Sequence, residues 1–205
     1  MIILFKPINI LINLSVKTIQ WMALLTFLLS TSSLLAKTYM SQSEFLALVN
    51  QHLSTEQILN PEFKNKTIWL KKEIQSHIKS ILDHQYAKLR IRYKFIFNQN
   101  SPITIWFLNE TGKERPISFG ISVMNNRVQI IRVLEFRESR GHEINIPAFA
   151  EQFEQAGLDE HGKLDLNIDG ITGATMSVSA MKKMAQLAIY LHQLAIIEFE
   201  TKNKK

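Results

Sequence analysis

The chain has 205 residues, of which 46% are hydrophobic and 20% charged, with a formal net charge of +6 at pH 7 and no cysteine. Such a composition is that of an ordinary folded protein with enough chain for one full core. Because thiols are absent, disulfides, thiolate catalysis, cysteine-ligated iron–sulfur clusters and covalent c-type haem are excluded, and an organic cofactor would have to carry any electrons.

The first 36 residues have the pattern of an export signal. Lys6 and Lys17 are their only charged residues, and an apolar run from Ile19 softens into serine and threonine before ending at Ala36. A basic start, an apolar middle and a small-residue end are typical of a secretory signal, and an uncleaved run of this length would act as an anchor. We therefore predict a signal peptide or N-terminal membrane anchor over residues 1–36. Residues 37–205 are predicted to form a single extracytoplasmic, periplasmic domain.

Two amphipathic helices are predicted at the start of this domain. Ser41 and Glu44 have the spacing of a capping box, and apolar residues follow at helical spacing to Leu53. This predicts a helix over 41–53. Apolar residues repeat with helical period again between Leu70 and Leu82, with lysines between them, which predicts a second helix over 68–88.

The period then changes to two. Segments 89–97 and 117–123 alternate apolar and polar residues, as strands with one buried face do, and segments 103–108 and 128–136 are interpreted as further strands. Asn125 and Asn126 are predicted to form a hairpin turn, because asparagine tolerates positive φ. The pattern predicts an antiparallel meander with helices packed on one side, an α+β fold.

The last third of the chain alternates short and long elements. Pro147 fits the first turn of a short helix running to Phe153, because that position needs no N–H partner. Alternation over 164–168 predicts a strand, and a broad apolar face predicts a long helix from Ser177 to about residue 200.

The stretch Asp169–Ser177, with sequence DGITGATMS, lies between that strand and that helix. Gly170 and Gly173 permit a sharp turn or a close approach to a ligand. Three hydroxyl residues, Thr172, Thr175 and Ser177, lie where a helix exposes unpaired N–H groups, an arrangement that favours phosphate. The alternative is an ordinary helix cap, with Thr175 or Ser177 at the N-cap. The two interpretations are compatible, because a phosphate can bind the same N–H groups.

The same stretch resembles the flavinylation motif of the FMN-binding domain in extracytoplasmic flavin subunits of sodium-pumping and ferredoxin-linked membrane reductases. The resemblance continues through residues 133–141 and 149–153, and so covers roughly residues 115 to 190. It implies FMN as the cofactor, attached to Thr175 through a phosphoester by a flavin transferase.

The resemblance also implies a wider cofactor site and redox partners. The implied cofactor-binding residues are Asp169, Thr172, Gly173, Ala174, Thr175 and Ser177 from the motif, with Glu138 and Gly141 beside the flavin. Many family members have proline where this chain has Arg140, so the pocket differs there. The implied function is an electron-transfer carrier that works with a membrane reductase or a quinone-linked protein and needs no catalytic acid or base.

Other residues leave alternatives open. Arg140 could meet a flavin carbonyl or phosphate, or form an ion pair with Glu138 or Glu143. His142 lies next to the proposed flavin loop and could donate to a reduced flavin. The alternating cations Arg90, Arg92 and Lys94 form either a solvated sheet face or a docking surface for an acidic partner. The six histidines show no convincing metal-ligand spacing, and no nucleic-acid-binding motif is present.

Two other functions compete with the electron carrier. The chain could be a flavin-binding partner or sensor module with no electron-transfer role of its own. A self-sufficient flavin reductase is a third reading, although neither a P-loop nor a dinucleotide fingerprint occurs in the sequence.

Overall fold

The computed structural model describes residues 36–55, 61–97 and 101–203. Apart from Ala36, the predicted signal or anchor lies outside the described residues.

Six antiparallel strands form the centre of the fold. They are β1 (Lys37–Thr38), β2 (Lys64–Trp69), β3 (Arg90–Ile96), β4 (Ile103–Thr111), β5 (Pro116–Met124) and β6 (Arg127–Phe136). Their order across the sheet is β1-β6-β5-β4-β3-β2. The meander from β3 to β6 is confirmed, and so is the hairpin turn, since Asn125 and Asn126 have φ values of 53° and 60°. Strand β4 continues three residues beyond its predicted end, so the next turn begins at Gly112.

The described helices are α1 (Gln42–Thr55), α2 (Lys72–Leu82), the single turn α3 (Pro147–Ala150) and α4 (Thr175–Asn203). Short 3-10 turns, His142–Asn145 and Glu151–Phe153, flank α3. The capping box of α1 is confirmed: the Ser41 N–H donates to Glu44 Oε2 over 2.7 Å, and the Glu44 N–H donates to Ser41 Oγ over 3.2 Å. The α+β class is confirmed.

The prediction that the helices pack on one side of the sheet is wrong. Helix α4 packs on the face that carries Trp106, Phe119 and Ile121. Helix α1 covers the opposite face, where Phe45 contacts Gly120 so closely that an added Cβ would lie 2.8 Å from its ring. Both faces are therefore buried along β5 and the first part of β4, because residues of both parities there are apolar or small, whereas Asn109 and Thr111 at the end of β4 are exposed.

The predicted helix over 68–88 is also wrong at both ends. Ile68 belongs to β2, paired with Ile91, and α2 begins only at Lys72. Apolar residues at 68 and 70 fit an alternating pattern as well as a helical one, and strand pairing decides between them. At the other end, Asp83 has a left-handed φ of 65°, which ends the helix.

No strand forms over 164–168 in the described residues, which show only an isolated bridge between Leu158 and Leu164. The alternation misleads because Leu166 is exposed. Asp165 holds the segment as a loop instead: its Oδ1 accepts the Gly157 N–H over 2.7 Å, and its Oδ2 lies 3.1 Å from Arg127 Nη1.

Candidate functional site

A cleft of about 480 Å³ lies where three segments meet at one end of the sheet. The turn after β4 forms one wall, the residues after β6 form another, and the first turn of α4 forms the third. The lining residues are Lys113, Glu114, Glu138, Ser139, Arg140, Gly173, Ala174, Thr175, Met176 and Ser177. The volume is within the range of ordinary small-molecule sites.

The predicted motif forms a turn followed directly by a helix. The Ala174 N–H donates to the Ile171 carbonyl over 3.0 Å, and the Ala174 carbonyl accepts the Val178 N–H over 3.0 Å. Ala174 is therefore the N-cap, and α4 begins at Thr175 rather than at the predicted Ser177. The N–H groups of residues 175–177 precede the first intrahelical hydrogen bond. They lie at the N-terminus of a 29-residue helix, where the helix dipole is positive, so the site favours an anion.

The three predicted hydroxyls have different surroundings. Thr175 is exposed and lines the cleft, whereas Ser177 lines it but is only 3% exposed. Thr172 lies in the preceding turn and is not among the lining residues. Among the motif hydroxyls, Thr175 is therefore the one that is both exposed and part of the cleft.

Gly141 packs directly against the start of α4. Its φ is +87°, and an added Cβ would lie 2.4 Å from Ser177 Oγ. Only glycine satisfies both the left-handed backbone and the lack of space. The two predicted cofactor residues Gly141 and Ser177 thus contact each other, with Gly141 behind the cleft wall. Gly173 also has a positive φ, of +82°, but nothing lies within 4 Å of its Cβ position.

Glu138 connects two walls of the cleft. Its Oε1 accepts the N–H of Glu114 over 2.7 Å and the N–H of Arg115 over 2.8 Å, so the carboxylate holds the turn that follows β4. An added Cβ on Gly112 would lie 2.8 Å from the same oxygen, which explains a glycine at the start of this turn. Glu138 therefore shapes the cleft through the backbone opposite Thr175.

Two cations, Lys113 and Arg140, contribute to the cleft from different walls. Both are exposed. In the described part of the chain, Arg140 forms no ion pair with Glu138 or Glu143 within 4.0 Å, and Lys113 approaches only Glu114, at 3.8 Å. Their charges remain available to an anionic ligand.

The structure does not bring every predicted residue to the cleft. Asp169 lies outside it and donates its N–H to Gln152 Oε1 over 2.9 Å. His142 is exposed in the 3-10 turn and is not a lining residue. Lys182 donates to the Ile168 carbonyl over 2.8 Å, which ties the segment before the motif to α4.

Sequence reasoning missed four lining residues: Lys113, Glu114, Ser139 and Met176. The predicted strands over 103–108 and 117–123 imply a turn between them, but nothing local indicates that this turn faces a helix start some sixty residues later in the chain. Across the described ranges, no group of three acidic or histidine residues could hold a metal, and no helix combines the length and apolar character of a membrane span.

Residues 112–190 match the family model of the FMN-binding domain. Neither the curated proteins nor the solved structures include a significant match to the chain. The matched range contains all three walls of the cleft. The cleft's volume, its helix terminus, its exposed hydroxyl and its two cations all suit a phosphate-bearing flavin.

Proposed function

We propose that this flavoprotein, which carries an FMN-binding domain over residues 112–190, holds its FMN covalently at Thr175 and acts as an extracytoplasmic electron carrier. The observation that carries the proposal is the position of the Thr175 side chain. It is an exposed hydroxyl in the first turn of a long helix, inside the cleft of the matched domain.

The attachment is a phosphoester between Thr175 Oγ1 and the FMN phosphate. The flavin donor carries its FMN phosphate in an anhydride bond to a second phosphate group. The Thr175 hydroxyl oxygen forms the new bond to the FMN phosphorus and loses its proton, the anhydride bond breaks, and the second phosphate group leaves while the ester to riboflavin is kept. The product gains the mass of FMN less one water. The N–H groups of residues 175–177 would bind the remaining phosphate oxygens, and the helix dipole favours their charge.

Bound FMN supplies transfer of one or two electrons. The residues of the chain hold and surround it. Lys113 and Arg140 place positive charge in the cleft, which favours a flavin that gains negative charge on reduction. Glu138 fixes the turn that carries Lys113. No catalytic acid or base is required, because the carrier only exchanges electrons with its partners.

The sequence pattern supports the proposed location, and the family resemblance supports the proposed partners. The basic and then apolar pattern of residues 1–36 supports export, with the signal either cleaved or retained as an anchor. On the outer side of the cytoplasmic membrane, the partners are a flavin transferase for maturation and a membrane reductase or quinone-linked protein for electrons.

The test is the intact mass of the denatured chain after production with a flavin transferase. We expect the wild-type chain and Thr172→Ala to gain FMN less one water, because Thr172 does not line the cleft. Thr175→Ala should lose this mass completely while keeping its fold, since the acceptor oxygen is removed. Retention of denaturation-resistant flavin by Thr175→Ala would disprove the covalent claim.

A second measurement separates a carrier from a binding or sensor module. In a carrier, membrane donors reduce the bound flavin, and an acceptor reoxidises it, faster than they do free FMN. Equal rates for bound and free FMN would favour the module without an electron-transfer role.

A further inference from the structure

One face of the β2–β3 pair is left uncovered by the helices that the structure describes. The register pairs Trp69 with Arg90 and Thr67 with Arg92, so these side chains share a face of the sheet. Helix α1 covers that face only as far as Phe107, whose ring lies 6.0 Å from Phe45. Beyond it, Trp69 is 63% exposed, which is unusual for a large aromatic side chain.

A groove of about 810 Å³ follows this uncovered face, and we call it the basic groove. The residues that define it are Trp69, Lys88, Leu89, Arg90, Arg92 and Phe107. The Arg90 guanidinium lies over the Trp69 ring, 5.5 Å from its centroid. Three side chains of the groove are cationic, and no carboxylate is among its described lining residues. The groove therefore combines unpaired positive charge with exposed apolar surface.

The positive charge and the exposed apolar surface of the basic groove indicate what kind of molecule binds there. Arginine presents a planar fork that fits carboxylates, and the exposed Trp69 and Leu89 offer contacts to an apolar side chain. The chain's own N-terminal segment has no acidic residue to offer, since the first in the sequence is Glu44. A second copy of the chain brings a net charge of +6, which opposes association at a basic surface. A flat lipid surface would meet the rim but not Phe107, which is half-buried at the base.

The groove and the flavin cleft lie at the same end of the sheet. Strand β3 begins at Arg90, and its antiparallel register with β4 places that start beside the end of β4. The end of β4 leads directly into the turn that carries Lys113, a wall of the cleft. A protein bound in the basic groove would therefore lie at the end of the sheet that also carries the cleft.

We infer that the basic groove is the docking surface for an acidic protein, the one that exchanges electrons with the flavin. The identity of the partner as a redox protein rests on the proposed function, whereas the binding chemistry does not. Charge steers the partner to the groove, and contacts with Trp69 hold it there.

The test measures binding of a defined probe to the full chain. The probe is a fluorescent synthetic peptide of glutamates interrupted by phenylalanine, titrated at low and at physiological salt. We expect binding that weakens with salt. The double variant Arg90→Gln/Arg92→Gln should weaken it about ten-fold, and Trp69→Ala roughly three-fold. The control Lys72→Gln/Lys79→Gln removes the same charge from exposed positions of α2 and should stay within about two-fold of wild type.

Three outcomes would overturn the inference. They are the absence of peptide binding at low salt, equal weakening by the α2 control, and a groove variant that impairs binding to anionic phospholipid vesicles but not to the peptide. The same titration on Thr175→Ala separates this inference from the proposed function. Its binding should match wild type, because the groove does not include the attachment residue, so a failed covalent claim would leave the docking result intact.

Discussion

At the scale of single residues, the cleft depends on positions that cannot accept any side chain larger than that of glycine. Gly141 is such a place, because it combines a left-handed backbone with a close contact to Ser177. Gly162 offers a matched comparison. Its φ is +73°, but nothing lies within 4 Å of its Cβ position. The two glycines therefore separate backbone strain from steric exclusion.

We expect Gly162→Ala to lower the free energy of unfolding by about 1 kcal/mol, the cost of a left-handed residue with Cβ. Gly141→Ala should lower it by about 2 to 4 kcal/mol, because overpacking against Ser177 adds to that cost. Adding Ser177→Ala to Gly141→Ala should restore part of the difference. Urea unfolding measures the free energy of unfolding of the wild type, the two single glycine variants and the double variant. Equal losses for Gly162→Ala and Gly141→Ala would show that the contact with Ser177 adds no steric cost.

Local chemistry nominates Thr175 as one of three hydroxyls at a predicted helix start, whereas Gly141 and Glu138 are indicated only by the family resemblance. Thr175 is exposed and lines the cleft, as the proposed attachment requires. The hydrogen bonds from the Glu114 and Arg115 N–H groups to Glu138 could not be predicted from the sequence. Those hydrogen bonds join positions more than twenty residues apart, and only strand pairing brings them together.

At the scale of elements, the turn between β4 and β5 is stabilised by a residue of another segment. Besides one internal bond, from the Gly112 N–H to the Arg115 carbonyl over 3.1 Å, two of its N–H groups depend on Glu138. The wall of the cleft that carries Lys113 is therefore ordered by the segment after β6.

Glu138→Ala should expose the Glu114 and Arg115 amides to exchange and cost roughly 1 kcal/mol of stability. Glu138→Gln should retain most of the protection, because its amide oxygen can still accept both N–H groups. Amide hydrogen exchange resolved by residue is the measurement. Unchanged exchange of both amides in Glu138→Ala would show that the turn orders itself.

The secondary-structure elements could be predicted where the apolar residues fit only one period, helical or strand, and not where they fit both. The alternating segments of the meander and the capping box of α1 are confirmed. Apolar residues at 68 and 70 fit either period, and the exposed Leu166 imitates a strand. Periodicity also could not show that α1 and α4 cover opposite faces, because β5 and the first part of β4 are apolar or small on both.

At the scale of the whole molecule, a buried polar network links α4 to the sheet. The Trp106 indole N–H donates to Thr104 Oγ1 over 2.8 Å, which leaves the hydroxyl proton for His192 Nδ1, also at 2.8 Å. His192 is 2% exposed, and burial lowers its pKa to about 4. The folded protein thus holds this histidine neutral.

This network makes stability depend on pH. In the unfolded chain His192 takes up a proton near pH 6.5, whereas in the folded chain it does so only near pH 4. Its stabilising contribution is therefore complete above pH 6.5 and lost as pH falls toward 4, by roughly 3 kcal/mol. His192→Gln should flatten this acid limb in urea unfolding followed from pH 7 to 4.5.

His84 supplies the control, because folding raises its pKa whereas folding lowers the pKa of His192. Hydrogen bonds to the Gln85 carbonyl and to Glu110 raise the pKa of His84, so its contribution is present at low pH and lost as pH rises through that raised pKa. His84→Gln should leave the acid limb in place. An acid limb that survives in His192→Gln would assign it to other groups.

The early start of α4 has a consequence for the order of maturation. The hydroxyl of Thr175, the proposed attachment point, belongs to a helix whose later turns, through Met181, Leu187 and Leu191, are buried in the core. Its orientation is thus set when the chain folds, and a modifying enzyme meets a shaped surface rather than a loose peptide. Under the proposed function, folding therefore comes first and cofactor loading second, and a chain exported in the unfolded state would receive its flavin only after it has folded.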